Sequence, residues 1–208
     1  MTLVAIDGPG GSGKSTVART VAARLGLDHL DTGAMYRAVT WAALRDGVAL
    51  DDGPALGRLA GTFDLQLDDG VIVDGTDVTE AIRGPEVTAA VSQVSAHTQV
   101  RVAMVRRQRQ WAAARGGGVV EGRDIGSVVF PHAEVKVFLT ASEEERARRR
   151  AVQVGAADAS AVAGSLAERD RMDSIRAASP MVVATDAVVL DTTDRDVDQV
   201  VEEVLALL

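Results

Sequence analysis

Residues 3–25 read LVAIDGPGGSGKSTVARTVAARL. The apolar run at 3–6 ends at Asp7, glycines follow, and Val17, Val21 and Leu25 then recur at four-residue spacing. That order predicts strand, turn and helix, with Gly26 stopping the helix. The turn fits G-x-x-x-x-G-K-S from Gly8 to Ser15. Glycines let successive backbone N–H groups converge on phosphate oxygens, and the helix start adds its positive dipole end. Lys14 can then reach β- and γ-phosphates while the Ser15 hydroxyl ligates Mg²⁺. The stretch Gly8, Pro9, Gly10, Gly11, Ser12, Gly13, Lys14, Ser15 and Thr16 is therefore the expected cradle of a nucleoside triphosphate such as ATP. Lys14 is one of two lysines beside twenty arginines, and the other, Lys136, lies in an apolar run.

Composition narrows the setting. The chain has 208 residues, 47% of them hydrophobic, enough for a sizeable core. Its formal charge is 22 − 30 = −8, which argues against coating nucleic acid or an anionic membrane through bulk charge. There is no cysteine, so disulfides, zinc-thiolate sites and thiol catalysis are excluded. No stretch approaches the ~20 apolar residues of a membrane helix, and no basic segment precedes the first apolar run. A soluble cytoplasmic protein is expected.

Outward from the opening motif, residues 28–31 read as a very short strand and 33–44 as a second helix. Residues 61–80 alternate apolar and polar around Asp68-Asp69-Gly70 and Asp74-Gly75, an antiparallel meander. Helical stretches follow at 85–95 and 98–114. A strand at 119–121, a buried strand at 135–139 and a capping box at Ser142–Glu145 opening a helix to 153 restore the α/β rhythm. Residues 155–165 are a small-residue stretch, read as a loop or loose helical hairpin. A helix at 166–177, a strand at 187–190 and a helix at 197–208 complete the chain. Strands separated by helices argue for a parallel sheet covered on both faces, with the meander inserted.

The motif names a triphosphate and leaves the reaction open. A GTPase-like switch needs Asn-Lys-x-Asp, and Lys136 does not supply it. A remodelling ATPase needs an apolar run ending in adjacent acidic residues, which is absent. A small-molecule kinase remains. Arginine and aspartate clusters fit an acceptor that is itself a phosphate monoester: Arg37; Arg101 with Arg106, Arg107 and Arg109; Arg123-Asp124; and Arg169, Asp173 and Arg176 at i, i+4 and i+7. A solvated ion-pair stripe is the competing reading for the last group.

The stretches 6–15, Leu30-Asp-Thr-Gly-Ala-Met-Tyr-Arg37, Val91-Ser-Gln-Val94, Arg106-Arg-Gln-Arg109, 121–131, Glu168-Arg-Asp-x-x-Asp-x-x-Arg176 and Leu190-Asp-Thr-Thr193 together resemble the bacterial cytidylate kinases. The resemblance implies an α/β fold: a P-loop NTPase core with a five-stranded parallel sheet flanked by helices, an inserted α+β monophosphate-binding domain and a short lid. Residues 1–31 and 115–208 would form the core, 32–114 the monophosphate-binding domain with its insertion near 61–80, and 150–167 the lid. It implies transfer of the γ-phosphate of MgATP to CMP or dCMP by a monomer, with no nucleic-acid polymer and no membrane as partner. UMP, or a non-nucleotide such as shikimate, is the alternative acceptor.

The same resemblance places Thr32, Ser92, Arg101 and Asp124 at the base and Tyr36 beside the nucleotide, although core packing explains Tyr36 as well. Arg37 and Arg123 fall to the acceptor phosphate and Arg169 to the phosphoryl path, so Lys14, Arg123 and Arg169 form the catalytic set. Asp173 and Arg176 fall to the sugar, and Arg149 and Arg150 to ATP. For those two, Glu144–Arg148 and Glu145–Arg149 surface pairs compete. Glu121 either holds water around Mg²⁺ or caps a helix.

Overall fold

The computed structural model describes residues 2–67, 70–155, 159–176 and 178–208. In chain order it runs β1 (Leu3–Asp7), α1 (Lys14–Leu25), β2 (His29–Asp31), α2 (Thr32–Arg45), α3 (Gly53–Thr62), β3 (Leu65–Gln66), β4 (Ile72–Val73), β5 (Thr76–Asp77), α4 (Pro85–Ala96) and α5 (Thr98–Arg115). It continues with β6 (Gly118–Gly122), a π turn at Ile125–Val129, β7 (Val135–Thr140), α6 (Glu143–Val154), α7 (Ala159–Ile175), β8 (Val188–Asp191) and α8 (Val197–Leu205). The chain divides into two compact units. One comprises 1–30, 112–175 and 179–208; the other comprises 31–111 and 176–178.

The first unit is built on a five-stranded sheet in the order β2-β6-β1-β7-β8. β1 pairs with both β6 and β7 in parallel, and β7 pairs with β8 in parallel. Every residue of β1 and β6 is buried, the mark of strands covered on both faces. Val4, Ile6, Val137 and Leu139 pack with Val17, Val21, Val200, Val201 and Val204 of α1 and α8 into one core. Because β1 lies mid-sheet, its C-terminal end delivers the glycine loop to the edge where parallel sheets bind ligands.

In the second unit β3, β4 and β5 form a three-stranded antiparallel meander, as the alternation at 61–80 requires. Helix α3 is absent from the sequence reading. Gly53, Pro54, Gly57 and Gly61 lower its intrinsic propensity. It forms because the Asp52 side chain accepts from Ala55 N and because Leu56 and Ala60 are buried. Gly57 is required by proximity, since a β-carbon there would stand 2.4 Å from Gln99 Cβ of α5.

Three expectations change. Residues 159–165, read as loop or hairpin, belong to α7, and 156–158 lie outside the described residues. That helix ends at Ile175, so Arg176 lies one residue past it and does not share its face as an i+7 partner. At α6 the Ser142 hydroxyl accepts from Glu145 N, but Glu145 does not bond back. Its carboxylate binds Arg148 and Arg149 at 2.7 Å each, and they hold it down at about 2.

Candidate active site

Within the first unit the glycine loop leaves β1 at Gly8, where a β-carbon would stand 2.1 Å from the Leu139 carbonyl oxygen. Only glycine tolerates that approach. Gly13, at φ +87°, caps α1, so the free N–H groups of the first helical turn face the loop. Lys14 curls over the loop, and its Nζ donates to the Pro9 carbonyl at 2.8 Å. Burial, then the charge of Arg123, pushes that ammonium from 10.5 down to about 7.

The Ser15 hydroxyl donates to Glu121 Oε2 at 2.7 Å, and His29 Nε2 stands 3.1 Å from the other oxygen of that carboxylate. Glu121 is thus a hard-oxygen neighbour of Ser15 at the end of β6. Asp7, buried at the end of β1, accepts from the Ile125 and Gly126 N–H groups at 2.8 Å each. Burial raises its carboxyl to about 6 although those bonds pull it down. It pins the start of the π turn, and with it the backbone that carries the buried Asp124.

Arg123 lies against the loop. Its Nη1 donates to Gly8 O at 2.8 Å and to Asp170 at 3.2 Å, and its Nε meets Asp173 at 3.1 Å. Arg149 makes the competing pair with Glu145, and it donates to the Thr192 carbonyl at 2.7 Å and to the Thr192 hydroxyl at 2.8 Å. That hydroxyl bonds in turn to Ser12 O at 3.1 Å. Arg150 bonds Gln153 at 2.8 Å. Arg169 is half-buried, and desolvation followed by repulsion from Arg123 lowers its pKa, with Arg150 adding to the effect. Lys14, Ser15, Arg123, Arg149, Arg169 and Asp173 therefore share this unit with the loop. Sequence reading missed Arg146, Asp170, Thr192, His29 and Asp7, which hold these groups.

The second unit gathers its own set. Thr32 opens α2 and is buried. Arg101 is 2% exposed, bonds Ser95 O at 3.3 Å and stands 5.1 Å over the Tyr36 ring, so Tyr36 is a core residue whose face carries a cation. Arg37 donates to Ile82 O at 3.2 Å and to the Thr88 hydroxyl at 3.0 Å. Ser92 lies on α4. Arg107, one of the arginines offered for the acceptor, is committed to structure: it donates to Phe63 O at 2.7 Å, with its guanidinium 4.9 Å over the Phe63 ring.

The depressed Lys14 has a measurable consequence. A lysine whose folded pKa lies below its unfolded value contributes stability above about 10.5 and loses it as pH falls through about 7. An anion between Lys14 and Arg123 reverses that shift, so binding above pH 7 takes up a proton. Calorimetry of tripolyphosphate binding at pH 8.5, in buffers of different ionisation enthalpy, is expected to show uptake of about one proton per site. Lys14→Met is expected to reduce the uptake to near zero. Equal uptake by the variant contradicts the assignment to Lys14.

Comparison with known proteins agrees with this geometry. The cytidylate kinase family model matches residues 4–208. The chain is 50% identical over 214 residues to the cytidylate kinase of Pelotomaculum thermopropionicum, covering 98% of this chain and 94% of that one. It is 50% identical over 216 residues to the bifunctional pantoate ligase/cytidylate kinase of Synechococcus sp. CC9902, covering 99% of this chain but spanning only 44% of that relative. Among solved structures, TT1252 from Thermus thermophilus aligns over the whole chain and 97% of its own, at TM-score 0.52 and 20% identity, a likeness of fold. Match length, identity and the phosphate-loop geometry agree: the chain belongs to the cytidylate kinase family.

Proposed function

We propose that this chain transfers the γ-phosphate of ATP to CMP or dCMP, giving ADP and CDP or dCDP. The observation that carries the reading is the cationic group around the glycine loop. Burial and the neighbouring charge of Arg123 lower the pKa of both Lys14 and Arg169. Such a group is completed by a multiply charged anion, which two phosphate-bearing substrates provide. An oxygen of the CMP phosphate attacks the γ-phosphorus. The bond from that phosphorus to the β,γ-bridging oxygen breaks, and ADP leaves with the electron pair. The attacking oxygen is already ionised, so no strong general base is required. Positioning and charge neutralisation supply the rate.

In this reading Gly8 to Thr16, with Arg149 and Arg150, hold ATP. Lys14, Arg123 and Arg169 neutralise the transferring group. Arg37 and Arg123 hold the acceptor phosphate, Asp173 and Arg176 the sugar, and Thr32, Tyr36, Ser92, Arg101 and Asp124 the cytidine base and its surroundings. The Ser15 hydroxyl beside Glu121 fits Mg²⁺, which takes few protein oxygens and keeps waters and phosphates. Mg²⁺ accompanying ATP supplies charge neutralisation on the β- and γ-phosphates.

A coupled assay over CMP, dCMP, UMP, AMP and shikimate tests the proposal. CMP and dCMP are expected to exceed UMP by at least about tenfold in kcat/KM, the scale of one buried polar mismatch. Equal or faster turnover of UMP or shikimate overturns it. Base selection is assigned to Asp124, whose carboxylate accepts from the cytosine amine but has no proton for the uracil carbonyl. Asp124→Asn is expected to weaken CMP turnover and to shrink the CMP/UMP ratio by about tenfold to a hundredfold, because an amide can turn its NH₂ toward uracil. Steady-state constants for both substrates decide it. A ratio equal to the parent's removes Asp124 as base reader.

A further inference from the structure

Side chains grip the loop's outer backbone from Gly8 to Gly10. Gly8 O accepts from Arg123, Pro9 has no N–H, and Pro9 O accepts from Lys14. Gly10 N donates to Asp170 Oδ1 at 3.0 Å, and Gly10 O accepts from Arg146 Nη1 at 3.1 Å. Asp170 joins the group together. Its Oδ1 also accepts from Arg123 at 3.2 Å, and its Oδ2 accepts from Arg146 through a short ion pair. The carboxylate is largely enclosed, with 12% of the side chain exposed. One helical turn earlier on α7, Leu166 Cδ2 stands 2.7 Å from where a β-carbon on Gly10 would lie, so the same face of α7 rests on the loop.

We infer that Asp170 is a positioning residue for phosphoryl transfer. It fixes the Gly10 peptide, it neutralises Arg123 and Arg146 so that both lie against the loop without a ligand, and it ties α7 to the phosphate site. A buried carboxylate that receives an N–H and two guanidiniums costs little while all three remain, and a great deal for its partners when it is removed. Without Asp170 the Gly10 N–H loses its acceptor, and two arginines repel each other beside the loop. Asp173 and Gly8 O still keep Arg123 within reach of the acceptor phosphate, while the Gly10 peptide and the Arg123 guanidinium lose the carboxylate that aligns them with the transferring group, so the loss falls on kcat more than on the KM for CMP. This inference rests on the phosphoryl-transfer reading.

Asp170→Ala, Asp170→Asn, Arg146→Ala and Asp170→Ala/Arg146→Ala test it in the full chain. Asp170→Ala is expected to lose about twentyfold or more in kcat, with the KM for CMP within about threefold of the parent. Asp170→Asn keeps an oxygen for Gly10 N and is expected to recover part of that loss. The double variant is expected to fall well short of the product of the two single losses, because the residues act through one another. Hydrogen exchange at the Gly10 amide is expected to accelerate at least tenfold in Asp170→Ala and less in Asp170→Asn. A kcat within twofold of the parent, multiplicative losses or unchanged Gly10 exchange each overturns the inference. If the parent transfers no phosphate to CMP, the functional reading fails and the inference, which concerns that transfer, falls with it. If the parent is active and only these variant results fail, the inference alone falls.

Discussion

Lys14→Met is expected to lower kcat for CMP phosphorylation by about a thousandfold, equivalent to about 4 kcal/mol of transition-state stabilisation. Nζ already sits within the glycine loop at 2.8 Å from Pro9 O, and burial together with Arg123 keeps its pKa near 7. In the proposed reaction the transferring phosphoryl group restores its charge in a desolvated place, where that charge acts most strongly. Methionine preserves the stem and deletes the ammonium, and Lys136 does not substitute for it. Lys136 is buried, bonded to Pro131 O, and paired with Asp186 at 2.7 Å. Turnover of the variant within about threefold of the parent removes Lys14 from the reaction.

Arg123→Met is expected to cost about a hundredfold to a thousandfold in kcat/KM for CMP, the scale of losing one preorganised donor to developing charge. The guanidinium is fixed by Gly8 O, Asp170 and Asp173 together, which preorganises it for the acceptor phosphate in the proposed reaction. Deleting it also leaves two enclosed carboxylates short of a partner. The thermal midpoint is therefore measured beside the kinetics. Arg123→Lys is expected to recover no more than about tenfold, since an ammonium supplies charge but not the planar fork. Full recovery by lysine, or loss explained by unfolding alone, contradicts the role.

The core and the triphosphate cradle were legible because their signals are local. A buried strand, a glycine turn and an amphipathic helix occupy residues 3–25 without a gap, and the parallel sheet follows from apolar segments spaced by helices. Helix α3 escaped notice because its propensity is poor and its stability comes from the Asp52 cap and from contact with α5 at Gly57. Residues 159–165 escaped because a run of short side chains carries no clear period, whereas Leu166 after them is a buried anchor. The groups that hold the site were the least legible. Asp170 and Gly10 are 160 positions apart, Arg146 and Gly10 are 136 apart, and Thr192 and Ser12 are 180 apart. No local spacing reports such contacts. Asp170 was visible only as part of a motif whose other members, Arg169, Asp173 and Arg176, drew the assignment.

The most direct test of the account follows the phosphate itself. With ATP labelled at the γ-position and CMP as acceptor, the label is expected to appear on CDP in one-to-one stoichiometry with ADP. Free labelled phosphate is expected to stay at a few per cent or less, because the reacting groups are held away from water. Label released as inorganic phosphate at the rate of ADP formation, with CMP unchanged, contradicts it.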